Sequence, residues 1–280
     1  MASSHATPTE ADAVAAATEA PVALVTGAAR GLGAAVARAL GAAGYRLVLT
    51  DIAVADAADA SAGGGGYPFA TRAQLEAVAA AQAEAIPVRA DVRSQADMDA
   101  AARTALDRFG RLDAVVAAAG VIAGGPPGWE TDDETWRLLL DVNLTGVLIT
   151  ARATLPALLS APAGRFVAVS SAAGTRPLAR LAAYSASKHG VVGLVRSLAA
   201  DLAGTAVTAN VVCPGSMDTT MLAETAKVYD LADPGDFAQH AYLRRLLDPT
   251  EVAAAVAFLC SPAAGALTGA VIPVDGGFTG

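Results

Sequence analysis

The chain is short of aromatic residues, cysteine and basic clusters, and each shortage removes a class of protein. Phe, Trp and Tyr make up 5% of its 280 residues. That leaves little material for a core of large rings and suits close helix-on-sheet packing by the Ala and Gly that dominate. Only two cysteines occur, Cys213 and Cys260, without a metal-ligand spacing. Neither a disulfide framework nor a metal site is expected, and reduced thiols in a cytoplasmic protein are the expectation. Lys and Arg number 19 against 27 acidic residues, a net charge of −8, with no basic cluster of the kind that tracks a phosphate backbone, which excludes nucleic acid as a partner. Mean hydropathy is positive, yet Asp, Arg, Gly or Pro interrupts every apolar run before the roughly 18 residues that suggest a bilayer span, so no membrane segment is expected. Residues 1–20 lack Lys, Arg and a compact apolar block. They do not match a secretory signal and are expected to form a flexible tail.

What the sequence does have is one alternation repeated to its end. Short Val- and Leu-rich runs (Val22 to Thr26, Arg46 to Thr50, Ile86 to Arg89, Ala114 to Ala118, Arg165 to Val169, Thr208 to Val212, Ala270 to Val274) are separated by Ala-rich segments of helical length. Runs without polar alternation are expected of strands covered by helices on both faces, and the spacing suits right-handed crossovers. The fold expected over 21–280 is therefore a single α/β domain of the Rossmann type, a doubly wound parallel sheet of about seven strands. Two stretches fit the alternation poorly. One is Ala53 to Thr71, with Gly63 to Gly66; the other is Ser216 to Pro249, where Met217, Met221, Leu222, Tyr229, Phe237 and Tyr242 stand among charges. The second reads equally as an apolar substrate lid or as an ordinary surface helix pair.

Directly after the first run comes Thr26-Gly27-Ala28-Ala29-Arg30-Gly31-Leu32-Gly33, followed by a helical stretch. Glycines at a strand-to-helix turn let the chain bend tightly and pass close to a pyrophosphate while helix N–H groups face the anion. This context points to a dinucleotide site. Asp51 ends the second strand, about 20 residues on, where a carboxylate accepts hydrogen bonds from adenosine ribose hydroxyls and repels a 2′-phosphate. Arg30 pulls the other way, since a guanidinium can meet that phosphate. A carboxylate facing a phosphate dianion costs more than an Arg facing solvent, so NAD is expected over NADP.

Tyr184 and Lys188 are four apart in Tyr184-Ser185-Ala186-Ser187-Lys188, which on a helix places both on one face. Tyr has an ordinary pKa near 10, but a neighbouring ammonium and the positive nicotinamide both favour the phenolate, so Tyr184 can exchange a proton with an alcohol or ketone. Ser171, 13 residues earlier and just after a strand, is placed to hold the substrate oxygen; Asn143, expected in a helix, is placed to hold a water linked to Lys188. His189 adjoins Lys188 but faces about 100° away, which suggests packing.

Together these residues resemble the short-chain dehydrogenase/reductase family over nearly the whole length after the tail. The resemblance runs through the glycine turn, Asp91-Val92, Ala119-Gly120, Asn143, Ser171, Tyr184, Lys188 and Pro214-Gly215. It implies that Asp91 and Val92 lie beside the adenine, Ala119 and Gly120 along the adenosine, and Pro214 to Thr219, with Met217, around the nicotinamide amide. It also implies that Lys188 binds the nicotinamide ribose and lowers the Tyr184 pKa, and that the protein is a homotetramer with Pro273 to Gly277 as a subunit-contact tail. One departure stands out: the family commonly has Asn-Asn-Ala-Gly where this chain has Ala117-Ala118-Ala119-Gly120, which puts local rigidity in doubt. The insertion with Tyr67-Pro68-Phe69-Ala70-Thr71 ahead of Gln74-Leu75 is similar to the mycofactocin-associated branch, in which an extra loop covers a non-exchanging NAD that a mycofactocin redox partner reoxidises. The expected activity is NAD-dependent interconversion of a small apolar secondary alcohol and a ketone. The alternatives are an exchanging NAD(P)H-dependent carbonyl or 3-oxoacyl reductase, and a non-catalytic dinucleotide-binding redox sensor.

Overall fold

A computed structural model describes residues 20–53 and 67–278. The tail and the greater part of the expected insertion, including Gly63 to Gly66, lie outside the described residues.

Seven strands form one sheet in the order β3-β2-β1-β4-β5-β6-β7. They are β1 Val22–Thr26, β2 Arg46–Asp51, β3 Ala85–Arg89, β4 Ala114–Ala117, β5 Arg165–Val169, β6 Thr208–Pro214 and β7 Val271–Val274, and every pairing is parallel. The apolar runs therefore mark all seven strands. The largest boundary error is at β6, which continues through Cys213 and Pro214 because both still pair with β7.

The period of a strand divides the core into two layers. Leu24, Val115, Phe166 and Val211 point to one face, where they meet α3 Gln95–Phe109, α4 Asp133–Leu158 and α5 Ala182–Asp201. Val25, Leu47, Val116 and Val167 point to the other, against α1 Gly31–Ala42, α2 Arg72–Ala80 and α7 Pro249–Cys260. Cys213 belongs to the first layer and Cys260 to the second. Side chains such as Leu24 and Phe166 are wholly buried, each worth about 1.5–3 kcal/mol over its exposed state. Helix ends are written locally: Ser94 accepts from the Asp97 amide to cap α3, which stops at Gly110 in the left-handed region, and Asp248 and Glu251 cap α7 reciprocally. The helix α4 is the one described element long and apolar enough to cross a membrane by length and composition; over half of its most apolar window is buried inside the domain.

Because β1 sits between β2 and β4, the chain winds outward to β3 and then crosses back, leaving a crevice at the carboxyl ends of β1 and β4. The backbone after β4 is held there without the family's asparagines. The buried Thr26 Oγ1 accepts from the amides of both Ala118 and Ala119 at 3.1 Å, so the local rigidity that the Ala-Ala-Ala-Gly sequence put in doubt has another source. Thr26→Val would leave both amides without that acceptor and should destabilise the protein by about 2 kcal/mol, while Thr26→Ser should cost under about half as much. Urea denaturation of the two variants checks this, and equal stability of Thr26→Val and the unaltered protein would count against the brace.

Candidate active site

A cavity of about 590 Å³ lies along the carboxyl edge of the sheet, and every site residue expected from the sequence lines it except Asn143. The sheet does the gathering. Gly27 follows β1, Asp51 ends β2, Asp91 and Val92 follow β3, Ala119 and Gly120 follow β4, Ser171 follows β5, and Pro214 and Gly215 close β6.

At one end the glycine turn meets α1. Gly27 has φ +66°, and a Cβ there would stand 2.7 Å from Ala119 Cα; a Cβ on Gly33 would stand 2.0 Å from the Gly27 carbonyl oxygen. Neither position admits a side chain, so the turn lies directly on the neighbouring backbone. Helix α1 begins without a side-chain cap and without an acidic residue in its first turn, which leaves its N-terminal amides for an anion and fits a dinucleotide pyrophosphate. Leu32 is buried in the second layer of the core beside them.

Asp51 is tied to this turn: its Oδ2 accepts from the Ala29 amide at 3.1 Å and its Oδ1 from Ala53 at 3.4 Å. Burial pushes its carboxyl upward, opposed by those amides and by the Arg30 guanidinium. Arg30 itself donates to the Pro68 carbonyl and lies 5.7 Å from the Tyr67 ring centroid. Asp91 is gripped by its own neighbour, Arg93, with Nη2 to Oδ2 at 2.6 Å, and despite the cost of burial this pairing holds its carboxyl below the ordinary range.

At the other end Tyr184 and Lys188 share one face of α5, and both are buried. The Lys188 Nζ lies 5.8 Å from the Tyr184 ring centroid and donates to the Val169 carbonyl at 3.1 Å. The Tyr184 hydroxyl donates to Met221 Sδ at 3.9 Å, and the Ser171 hydroxyl is near enough to favour its phenolate. Ser171 Oγ also accepts from the Ala173 amide at 3.1 Å, capping a short 3₁₀ turn.

Two expectations need correction. Burial, the largest influence, pushes Tyr184 up to about 12 and Ser171 only partly opposes it; the same burial brings Lys188 down to about 8. Burial therefore opposes the phenolate that the Lys188 ammonium is expected to favour. Asn143, in a π-helical turn of α4, does not reach toward a water beside Lys188. Its Oδ1 accepts from the Val121 amide at 2.9 Å, and its Nδ2 donates to the Val121 carbonyl at 3.0 Å and to Ser187 Oγ at 3.1 Å. Both amide donors are thus spent on joining the segment after β4 to α5. His189, expected to pack, is exposed, with Nδ1 2.9 Å from the Ser185 carbonyl oxygen.

The stretch after β6 forms the third wall. Thr219 caps α6 Thr220–Val228, Met217 bridges to Leu247, and a 3₁₀ turn Pro234–His240 follows. Met221, Leu222, Tyr229 and Phe237 line the cavity, whereas Tyr242 is exposed. Sequence reasoning missed Ile122, Leu178, Leu181, His240 and Phe278, which also line it. They come from four separate connections and share no spacing that could have marked them.

A family model described as enoyl-(acyl carrier protein) reductase matches residues 27–279. The chain belongs to the short-chain dehydrogenase/reductase family. Within that family it is 38% identical to the (−)-trans-carveol dehydrogenase of Rhodococcus erythropolis, covering 94% of this chain and 99% of the relative. It is 36% identical to the 3-oxoacyl-[acyl-carrier-protein] reductase of Synechocystis, covering 93% and 98%. Among solved structures, carveol dehydrogenase from Mycobacterium avium in complex with NAD superposes with a TM-score of 0.85 at 30% identity, covering 93% of this chain and 98% of the other.

The two buried groups of this family site give opposite pH signatures. Between about pH 8 and 10.5 the unfolded chain protonates lysine while folded Lys188 has lost its proton, so its burial penalty is full below pH 8 and fades as pH rises. Above pH 10 the unfolded tyrosine ionises first while folded Tyr184 stays neutral, and stability falls. The stability gap between the unaltered protein and Lys188→Met should therefore move in favour of the unaltered protein by on the order of 2 kcal/mol from pH 8 to 10. Urea midpoints at those values test it; a gap independent of pH would contradict a depressed Lys188.

Proposed function

We propose that the protein interconverts a small apolar secondary alcohol and its ketone, with NAD as hydride carrier and Tyr184 as the acid and base. The observation that carries this reading is a single cavity in which an uncapped helix N-terminus at one end and the Tyr184–Ser171 pair at the other border the same space. NAD, when bound, takes up or gives a hydride at its nicotinamide C4. The Ser171 hydroxyl holds the substrate oxygen beside Tyr184, whose phenolate takes the alcohol proton and whose hydroxyl gives it back to the ketone. Lys188, an ammonium with three donors of which one goes to Val169, holds the nicotinamide ribose. Asn143 keeps the β4 connection and α5 in register around them. Asp51 accepts from the adenosine ribose, Asp91 and Val92 flank the adenine, Ala119 and Gly120 follow the adenosine, and Pro214 to Thr219 face the nicotinamide amide.

The substrate half of the cavity is bounded by Ile122, Leu178, Leu181, Met221, Tyr229 and Phe237, a wall suited to a hydrocarbon body. A cyclic alcohol of the kind carveol exemplifies suits this apolar wall. The acyl-carrier reading is favoured by the Synechocystis relative and by the description of the family model, and it is the second reading. In finer detail we place the protein in the mycofactocin-associated branch, with NAD held through many turnovers and a mycofactocin partner reoxidising it, and with a homotetramer formed in part by Pro273 to Gly277. Support for the held cofactor comes from the described end of the insertion, where Tyr67, Phe69 and Ala70 line the cavity over the glycine turn.

Tyr184→Phe should lower turnover of cyclic secondary alcohols by about 10²–10⁴, measured in single-turnover assays with NAD supplied. Full activity of that variant would end the assignment. Protein purified without added nucleotide and then denatured should release near-stoichiometric NAD. An empty protein that turns over with added NAD would leave the dehydrogenase reading standing and remove the mycofactocin one.

A further inference from the structure

Two guanidinium groups line the cavity among the described residues, Arg30 and Arg93. Arg93 is forked onto Asp91, with Nε 2.9 and 3.0 Å from the two carboxylate oxygens and Nη2 at 2.6 Å. Arg30 stands at the N-cap of α1, beside Asp51, where it is the one group positioned to greet a phosphate on the adenosine ribose. Yet the guanidinium already has partners on the other side. Nη2 donates to the Pro68 carbonyl and the guanidinium lies over the Tyr67 ring, 5.7 Å from its centroid. Tyr67 is a fixed partner: it is 6% exposed, belongs to the core layer that includes Val92 and Val121, and meets Phe69 edge-on with ring centroids 6.3 Å apart. A ring buried in this way cannot follow the guanidinium, so Arg30 would lose both contacts on turning toward a 2′-phosphate.

We infer that Tyr67 and Pro68 are specificity-determining: they withhold Arg30 from the ribose, so that preference for NAD over NADP rests on a sequestered cation as well as on the Asp51 carboxylate. The inference depends on the dinucleotide reading above and adds a second, separable source of selectivity to it. Either source alone suffices to refuse a phosphate. With Asp51 intact, a freed Arg30 still faces a carboxylate beside the incoming dianion; with Arg30 still latched, removal of the carboxylate takes away repulsion but supplies no attraction. The two changes should therefore be more than additive.

Isothermal titration of the purified, nucleotide-stripped protein with NADP and with NAD tests this. Asp51→Asn and Tyr67→Leu should each strengthen NADP binding less than about tenfold, and the double variant should exceed the product of the two effects by about tenfold. Leucine keeps the site apolar and filled. Tyr67→Phe, which retains the ring and loses only the hydroxyl that faces Arg30, should add less to Asp51→Asn than Tyr67→Leu does, and Arg30→Met in the Asp51→Asn, Tyr67→Leu variant should abolish the extra gain. Multiplicative single effects, or a gain that survives Arg30→Met, would overturn the inference while leaving the NAD site in place. Absence of NAD binding by the unaltered protein would instead remove the dinucleotide reading and this inference with it.

Discussion

The turn after β1 rests on the backbone after β4 with no room for a single extra carbon, and the rest of the site is arranged around that contact. Gly27 against Ala119, and Gly33 against the Gly27 carbonyl, bring helix α1 to the sheet closely enough that its first amides open into the crevice. The same contact fixes the path of residues 118–121, which Thr26 secures from one side and Asn143 from the other. Asn143 then passes the constraint to α5 through Ser187, one residue before Lys188. The anion-binding end and the proton-transfer end are thus joined by a short run of hydrogen bonds, most of it buried, with no long loop between them.

How far this was legible in the sequence follows from the kind of signal each part leaves. Strands buried on both faces read as plain Val/Leu runs, and all seven were found; the misjudged ends, such as Pro214 in β6, are places where pairing continues past the last strongly β-forming residue. Gly27, Gly31 and Gly33 were legible because a steric demand leaves glycine as its trace. Tyr184 and Lys188 were legible because four residues on a helix is a geometric statement. Ile122, Leu178, Leu181 and Phe278 were not, since each is an ordinary apolar residue whose position in the cavity depends on where three independent segments come to rest.

Errors of role have a different origin from errors of position. Asn143 and Arg30 stand where the sequence indicated, but pairwise chemistry left out the third partner that engages each of them. For Asn143 that partner is the Val121 peptide, which takes both sides of the amide. For Arg30 it is the Tyr67–Pro68 segment, which competes for the guanidinium. In each case the polar side chain is satisfied first by backbone or ring close at hand, as buried donors generally are.

Burial of the Tyr184–Lys188 pair has a consequence for the chemistry of the site. Desolvation raises the phenol and depresses the ammonium, so the two groups move away from the phenolate–ammonium state that would serve alcohol oxidation. The protein by itself therefore holds a protonated acid at rest, the form suited to giving a proton to a ketone. For Tyr184 to act as a base, positive charge must come close to it from a source other than its own helix, and the oxidised nicotinamide is cationic where the reduced one is neutral. In the proposed reaction a bound cofactor would supply that charge when oxidised and withdraw it when reduced, which a fixed cation does not do. An apolar lid over the pair serves the same end, because the field of a single bound charge is strong only where water is kept out.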